Sequence, residues 1–136
     1  MYRRLAITAA LAALLGATGC TANGTTSSSK FTGTEGDVAK VVSDLSQAGR
    51  RKDTDRICTQ ILSRTLVQQL SQAGTSCAQE MKKAIDDADD FDLTVQRVTV
   101  TGGRASAVVR RGKDGPTATF RFVREGRAWK ATDFGR

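Results

Sequence analysis

Three cysteines are the most reactive side chains of this 136-residue chain, and they stand in two different settings. Cys20 ends the run Leu15-Gly-Ala-Thr-Gly-Cys20, where small neighbours leave a thiol accessible as a nucleophile. Cys58 and Cys77 lie 19 positions apart, each within an apolar run of helical period. Other reactive groups are few. The chain has no His, and its one Tyr is Tyr2. Ser-His-Asp triads and His-based proton transfer are therefore excluded, and the chain beyond its first residues holds no phenolic donor. No zinc set is legible, because Cys58 and Cys77 lack CxxC proximity and have no His to complete a site. No glycine-rich phosphate cradle is present either, since Thr101-Gly-Gly-Arg104 reads as a hairpin turn. Neither a cofactor nor a metal is expected.

The setting of Cys20 is a leader. Arg3 and Arg4 precede the apolar stretch Leu5–Leu15, which has 11 residues. A helix that crosses a bilayer needs about 20. A basic start, a short apolar segment and small residues behind it are the layout of a secretory signal. Ala17-Thr18-Gly19 before Cys20 resembles the lipobox of bacterial lipoproteins. That resemblance implies cleavage before Cys20, a diacylglyceryl thioether on its sulfur and stable residence on the outer face of the cell membrane. Residues 1–19 are then the signal peptide. Residues 20–34 are the lipidated cysteine and a tether: Thr21 to Thr34 holds five Thr and three Ser, too little apolar surface to fold, with a reach on the order of 20 Å. Residues 35–136 form one domain.

The elements that must position any site divide into two halves. Thr34-Glu-Gly-Asp37 has capping-box spacing ahead of Val38, Val41, Val42 and Leu45, which predicts a helix that stops at Gly49. Asp53 caps a second helix through Ile57, Cys58, Ile61 and Leu62, and Ser63 starts a third through Leu66, Val67 and Leu70. Ser76-Cys-Ala-Gln79 is a second capping box, opening a helix whose buried face is Cys77, Met81, Ala84, Ile85 and Ala88. Beyond Asp92 the apolar period falls from 3.6 to 2. Strands are expected over Leu93–Val100, Arg104–Arg110, Thr117–Arg124 and Ala128–Phe134, joined by tight turns. The step from Val95 to Val98 breaks alternation and predicts a β-bulge near Gln96-Arg97. The fold class is α+β: N-terminal helices packed on a curved antiparallel four-stranded meander, a cone-shaped roll.

Four features carry a wider resemblance: the lipobox, the Ser/Thr tether, a Cys58…Ser76-Cys77 pair flanking the Leu62–Leu70 helix, and the closing strand Glu125-Gly-Arg-Ala-Trp-Lys130. Together they resemble small secreted lipoproteins of high-GC Gram-positive bacteria with a SnoaL-like cone, similar to nuclear transport factor and ketosteroid isomerase. That fold holds isomerases, small-ligand binders and partner-docking domains, so it leaves function open.

In an exported domain Cys58 and Cys77 are expected to form a disulfide; two free buried thiols or a redox pair are the alternatives. Charge is uneven. Residues 35–92 carry 8 basic and 11 acidic groups, whereas residues 93–136 carry 10 and 3. Alternation puts Arg104, Arg110, Arg121 and Lys130 on the outer sheet face, where they form a candidate anion-binding surface for lipid headgroups or envelope polymer. A solvated face is the plainer reading. Nucleic acid is not an expected partner, because Trp129 stands without a row of stacking aromatics. Phe120, Phe122, Trp129 and Phe134 are candidates to line an apolar pocket, or else simply core. Asp86 to Asp92 holds five carboxylates in seven residues, read as a solvated connection, with divalent-cation binding or a partner-facing patch as the alternatives. The expected function is non-catalytic binding, of an unknown protein or small molecule, by a membrane-anchored domain. The alternatives are an isomerase-like enzyme with Asp44 or Asp133 as base, and an accessory domain that binds anionic polymer or lipid.

Overall fold

Val38, Ala39, Val42, Leu45 and Ala48 recur at helical spacing, and all five are buried along one side of α1 (Gly33–Arg50). The computed structural model describes residues 30–88 and 90–135; the segment expected to be a signal peptide, Cys20 and most of the expected tether lie outside them. The helix begins at Gly33, inside the segment assigned to the tether. Its N-cap is Thr32, so the capping box expected at Thr34–Asp37 does not form. Gly49 does not end the helix either. It is buried one residue before the end, where a Cβ would overlap the ring of Phe91. The stop lies further on. Lys52 takes a left-handed conformation (φ 55°), so that its N–H meets Gly49 O and the Asp53 N–H meets Ala48 O.

Asp53 then caps α2 (Thr54–Arg56), accepting a hydrogen bond from the Arg56 N–H. The helix widens at once into a π-turn, Ile57–Ile61, closed by Leu62 N–H to Ile57 O. The second helix is thus shorter than expected, and Leu62 does not belong to it. Leu62 is extended, bridges Ala131 in parallel, and is followed by a Ser63 N–H bond to Ala131 O. Periodicity could not show this, because an i→i+5 turn and a strand bridge both break the 3.6-residue period. Ser63, fully buried, caps α3 (Arg64–Gln72). The capping box at Ser76 and Gln79 opens α4 (Cys77–Asp86), with both of its hydrogen bonds present. A disulfide joins Cys58 on the π-turn to Cys77 at the start of α4, with Cα atoms 5.9 Å apart.

Strands β1 (Leu93–Thr101), β2 (Arg104–Arg111), β3 (Thr117–Glu125) and β4 (Ala128–Asp133) pair in sequence order, all antiparallel. The register slips between Val95 and Arg97, leaving Gln96 as the bulge. A second irregularity follows Arg121, opposite Ala131–Asp133, and was not foreseen. Small residues on β2 face large ones on β3: Ala105 pairs with Phe122 and Ala107 with Phe120. That leaves room for the two rings beneath α1, where burying each side chain stabilises by about 2–3 kcal/mol. The helices cover one face of this sheet, and the architecture is α+β. Among the described residues no helix is long and apolar enough to cross a membrane.

Two ends can be distinguished. The β1–β2 and β3–β4 turns lie together, with the Arg124 N–H bonded to Gly103 O. The N-terminal half of α1 is beside them, sharing a groove between Asp37 and Arg127. The C-terminal half of α1 reaches the opposite end, where Ser46 meets the segment leading into β1.

Candidate functional site

At that second end α4 stands away from the sheet. The gap is an apolar cavity of about 190 Å³, bounded by Leu45, Met81, Ala84, Phe91, Phe120 and Phe134, with Arg111 and Asp90 as its polar members. The expected buried face of α4 is divided by it. Cys77 and Ile85 are buried, but Met81 and Ala88 are only partly so and Ala84 is exposed. All three line the cavity, and Met81 also packs against the core.

Each wall has a local cause. Phe91 lies against α1 because Gly49 offers no side chain there. Ser46, 4% exposed, fixes the same segment: its Oγ donates to Phe91 O (3.1 Å) and accepts from the Leu93 N–H (3.2 Å). Phe134 meets Phe120 edge to face, with centroids 5.2 Å apart. Arg111 shares its side of the sheet with Val109, and its guanidinium stacks 5.7 Å from the Phe120 centroid. Arg111 Nη2 donates to Phe134 O at 2.8 Å. That bond uses one of five N–H donors, and among the described residues the others have no partner and can serve an acceptor in the mouth. Gly112 N–H to Asp92 O (2.7 Å) ties this corner to the start of β1.

The residues singled out from sequence are dispersed. Phe120 and Phe134 border the cavity. Phe122 and Trp129, 3% and 5% exposed, belong to the packed interior, and Trp129 edges only the shallow groove between α1 and β4. Arg124 stacks 6.0 Å from the Trp129 centroid. Neither isomerase-type carboxylate reaches the cavity. Asp44 pairs with Lys40 (2.8 Å) and Arg56 (3.5 Å), while Asp133 pairs with Arg121 (3.4 Å) and accepts from the Gly135 N–H. Among the described residues the acids of 86–92 separate rather than converge. Asp86 pairs with Lys82 and Lys52, and Asp92 with Arg50. Asp90 is the one among the described acids that lines the cavity. The hydrogen bond from Lys82 holds the Asp86 carboxyl below the usual carboxylate range, and the same bond raises Lys82. Among the described residues no three His, Cys, Asp or Glu side chains gather as a metal site would require.

Arg111, Asp90, Phe91 and Met81 were not foreseen as site residues. For Arg111 the signal existed, because strict alternation from Ala105 through Ala107 and Val109 carries it to the inner face. The strand expected from the sequence ends at Arg110, one residue short of it. Phe91 and Asp90 lie between elements, where no period applies.

No known protein family matches the chain, and no curated protein does. Among solved structures, a substituted variant titled Rd1NTF2_05 is similar at 17% identity and a TM-score of 0.46, over 70% of this chain and 91% of that one. A likeness at that level carries no functional weight.

Proposed function

We propose that this chain is a lipid-anchored extracytoplasmic protein that binds, without chemical conversion, a small apolar molecule with an acidic head. One observation carries this reading: an apolar cavity with unused Arg111 donors at its mouth. An engineered apolar cavity of about 150 Å³ accepts benzene, so about 190 Å³ suits a ring-sized body. The acidic group would sit against Arg111, with Asp90 selecting for a donor beside it. The anchor follows from the leader and Cys20, and the described residues begin ten positions further on, at Lys30. An isomerase reading would have to use Asp90, the one carboxylate in the lining among the described residues, with Arg111 as its neighbour. A guanidinium does not give up its proton in the physiological range, which favours binding over proton transfer.

The test is a titration of the chain from position 20 onward, carrying Cys20→Ser, with benzoate and phenylacetate. Shifts of the Phe91, Phe120 and Phe134 ring resonances are expected. Ala84→Trp, which fills the opening from an exposed position, should remove them. Arg111→Gln should weaken the acids about tenfold, the worth of a charge-assisted bond, and leave neutral toluene unchanged. Shifts confined to other regions, or none at millimolar ligand, would sink the reading.

A further inference from the structure

The sheet face turned away from the helices carries no covering element among the described residues. Its cations come from all four strands: Arg97 on β1, Arg104 and Arg110 on β2, Arg121 on β3, Lys130 on β4. The register sets them side by side, with Arg97 opposite Val108, Arg121 opposite Ser106, and Lys130 opposite Val123, itself beside Arg104. None of these positions is buried. Among the described residues only Asp133 and Glu125 oppose them, and both are engaged, Asp133 with Arg121 and Glu125 with the Arg64 N–H. Arg97, Arg104 and Arg110 make no ion pair among the described residues, and Arg110 Nε is shielded without a hydrogen-bond partner. Lys130 donates to the Gln60 carbonyl at the sheet margin, so it contributes charge more than reach.

We infer that this face docks on the anionic phospholipid surface of the bilayer that holds the anchor. Charge complementarity favours it, since each cation near an acidic leaflet contributes a similar increment. The chemistry between the cations also fits a headgroup layer. It is mostly Thr and Ser, including Thr99, Ser106 and Thr119, which can donate to phosphate oxygens. It lacks the aromatic centre typical of a protein interface. A second copy of this chain is a poor occupant, because a two-fold contact would set the arginines against one another. The anchored setting rests on the reading of Cys20 given above. Docking itself needs only the sheet.

The test uses the chain from position 20 onward with Cys20→Ser, which keeps every described helix and strand and the disulfide but carries no acyl group. Vesicles of phosphatidylcholine with about a third phosphatidylglycerol should bind it at low salt and release it at physiological ionic strength, and pure phosphatidylcholine should not bind it. Arg97→Gln with Arg104→Gln should weaken binding by about 25-fold, fivefold per cation. Arg51→Gln with Lys83→Gln removes the same net charge from the helical side and should change it less than twofold. Equal losses from both pairs would overturn the inference, as would capture by soluble polyphosphate without capture by vesicles. Failure here leaves the cavity reading standing, because ring-resonance shifts with benzoate do not depend on this face.

Discussion

At Gly49 the interior of α1 gives up a side chain so that Phe91 can lie against the helix and wall the cavity. Gly49→Ala should therefore cost about 1–3 kcal/mol by overpacking, despite the better helix propensity of Ala. Urea denaturation would measure it, and a stabilised variant would contradict the packing described. Ser46 acts on the same segment from one turn away. Ser46→Ala strands Phe91 O and the Leu93 N–H in a partly buried place and should cost about 1 kcal/mol, with loss of hydrogen-exchange protection at Leu93. Lys52 presents the opposite case, a side chain where the backbone prefers none. Lys52→Gly should gain about 0.5–1 kcal/mol. Asp86 supplies a pH test. Its folded pKa is lowered, so its contribution to stability is present above the ordinary carboxylate value and lost as pH falls through the lowered one. In Lys82→Ala the Asp86 midpoint should move upward, as a carboxyl-detected NMR titration would show. None of these roles was legible beforehand, because glycine, serine and lysine announce no partner across 40 residues of chain.

The elements differ in how openly they show themselves. All four strands were readable to within one residue, and so was the bulge at Gln96, since alternation reports directly which side of a sheet is buried. The helical half was less readable. A helix start can be written by several Thr and Gly positions, and the true N-cap at Thr32 leaves no side-chain bond to betray it. The π-turn at Ile57–Ile61 and the bridge of Leu62 to Ala131 exist because β4 supplies a partner that lies 69 residues away. The disulfide holds this irregular stretch to α4. Replacing Cys58 and Cys77 together by Ala should cost about 3 kcal/mol on the chain-entropy account. Because α4 bears Met81 and Ala84, benzoate binding should weaken at the same time. Amide exchange in β2 and β3 should accelerate only as far as global stability falls. Selective exposure of those central strands would mean that the bridge supports the sheet, contrary to its placement among the helices.

For the whole molecule, two surfaces of unlike chemistry are set on different sides of one sheet: an apolar cavity beneath the helices and a basic face beyond them. The anchor proposed for Cys20 belongs to this scale. The mature protein should float with membranes and carry an acylated N-terminal Cys20 by mass spectrometry, while Cys20→Ser should leave it in the soluble fraction. A cytosolic form beginning at Met1 would end that reading. The cavity was only half legible. Phe120 and Phe134 could be counted as inward-facing, but whether four aromatics pack solid or leave a gap depends on how far α4 stands off, a distance that no sequence pattern encodes. The consecutive order β1-β2-β3-β4 has a consequence in time. Each strand pairs with its neighbour across a turn of a few residues, so the meander can zip up quickly by local steps. α1, first of the described elements, packs mainly on β1 and to a lesser extent on β4, so its apolar stripe is only partly covered until the last strand is in place. Refolding with the disulfide intact should therefore show hairpin protection ahead of α1, and the moment of greatest vulnerability to aggregation falls before β4 closes.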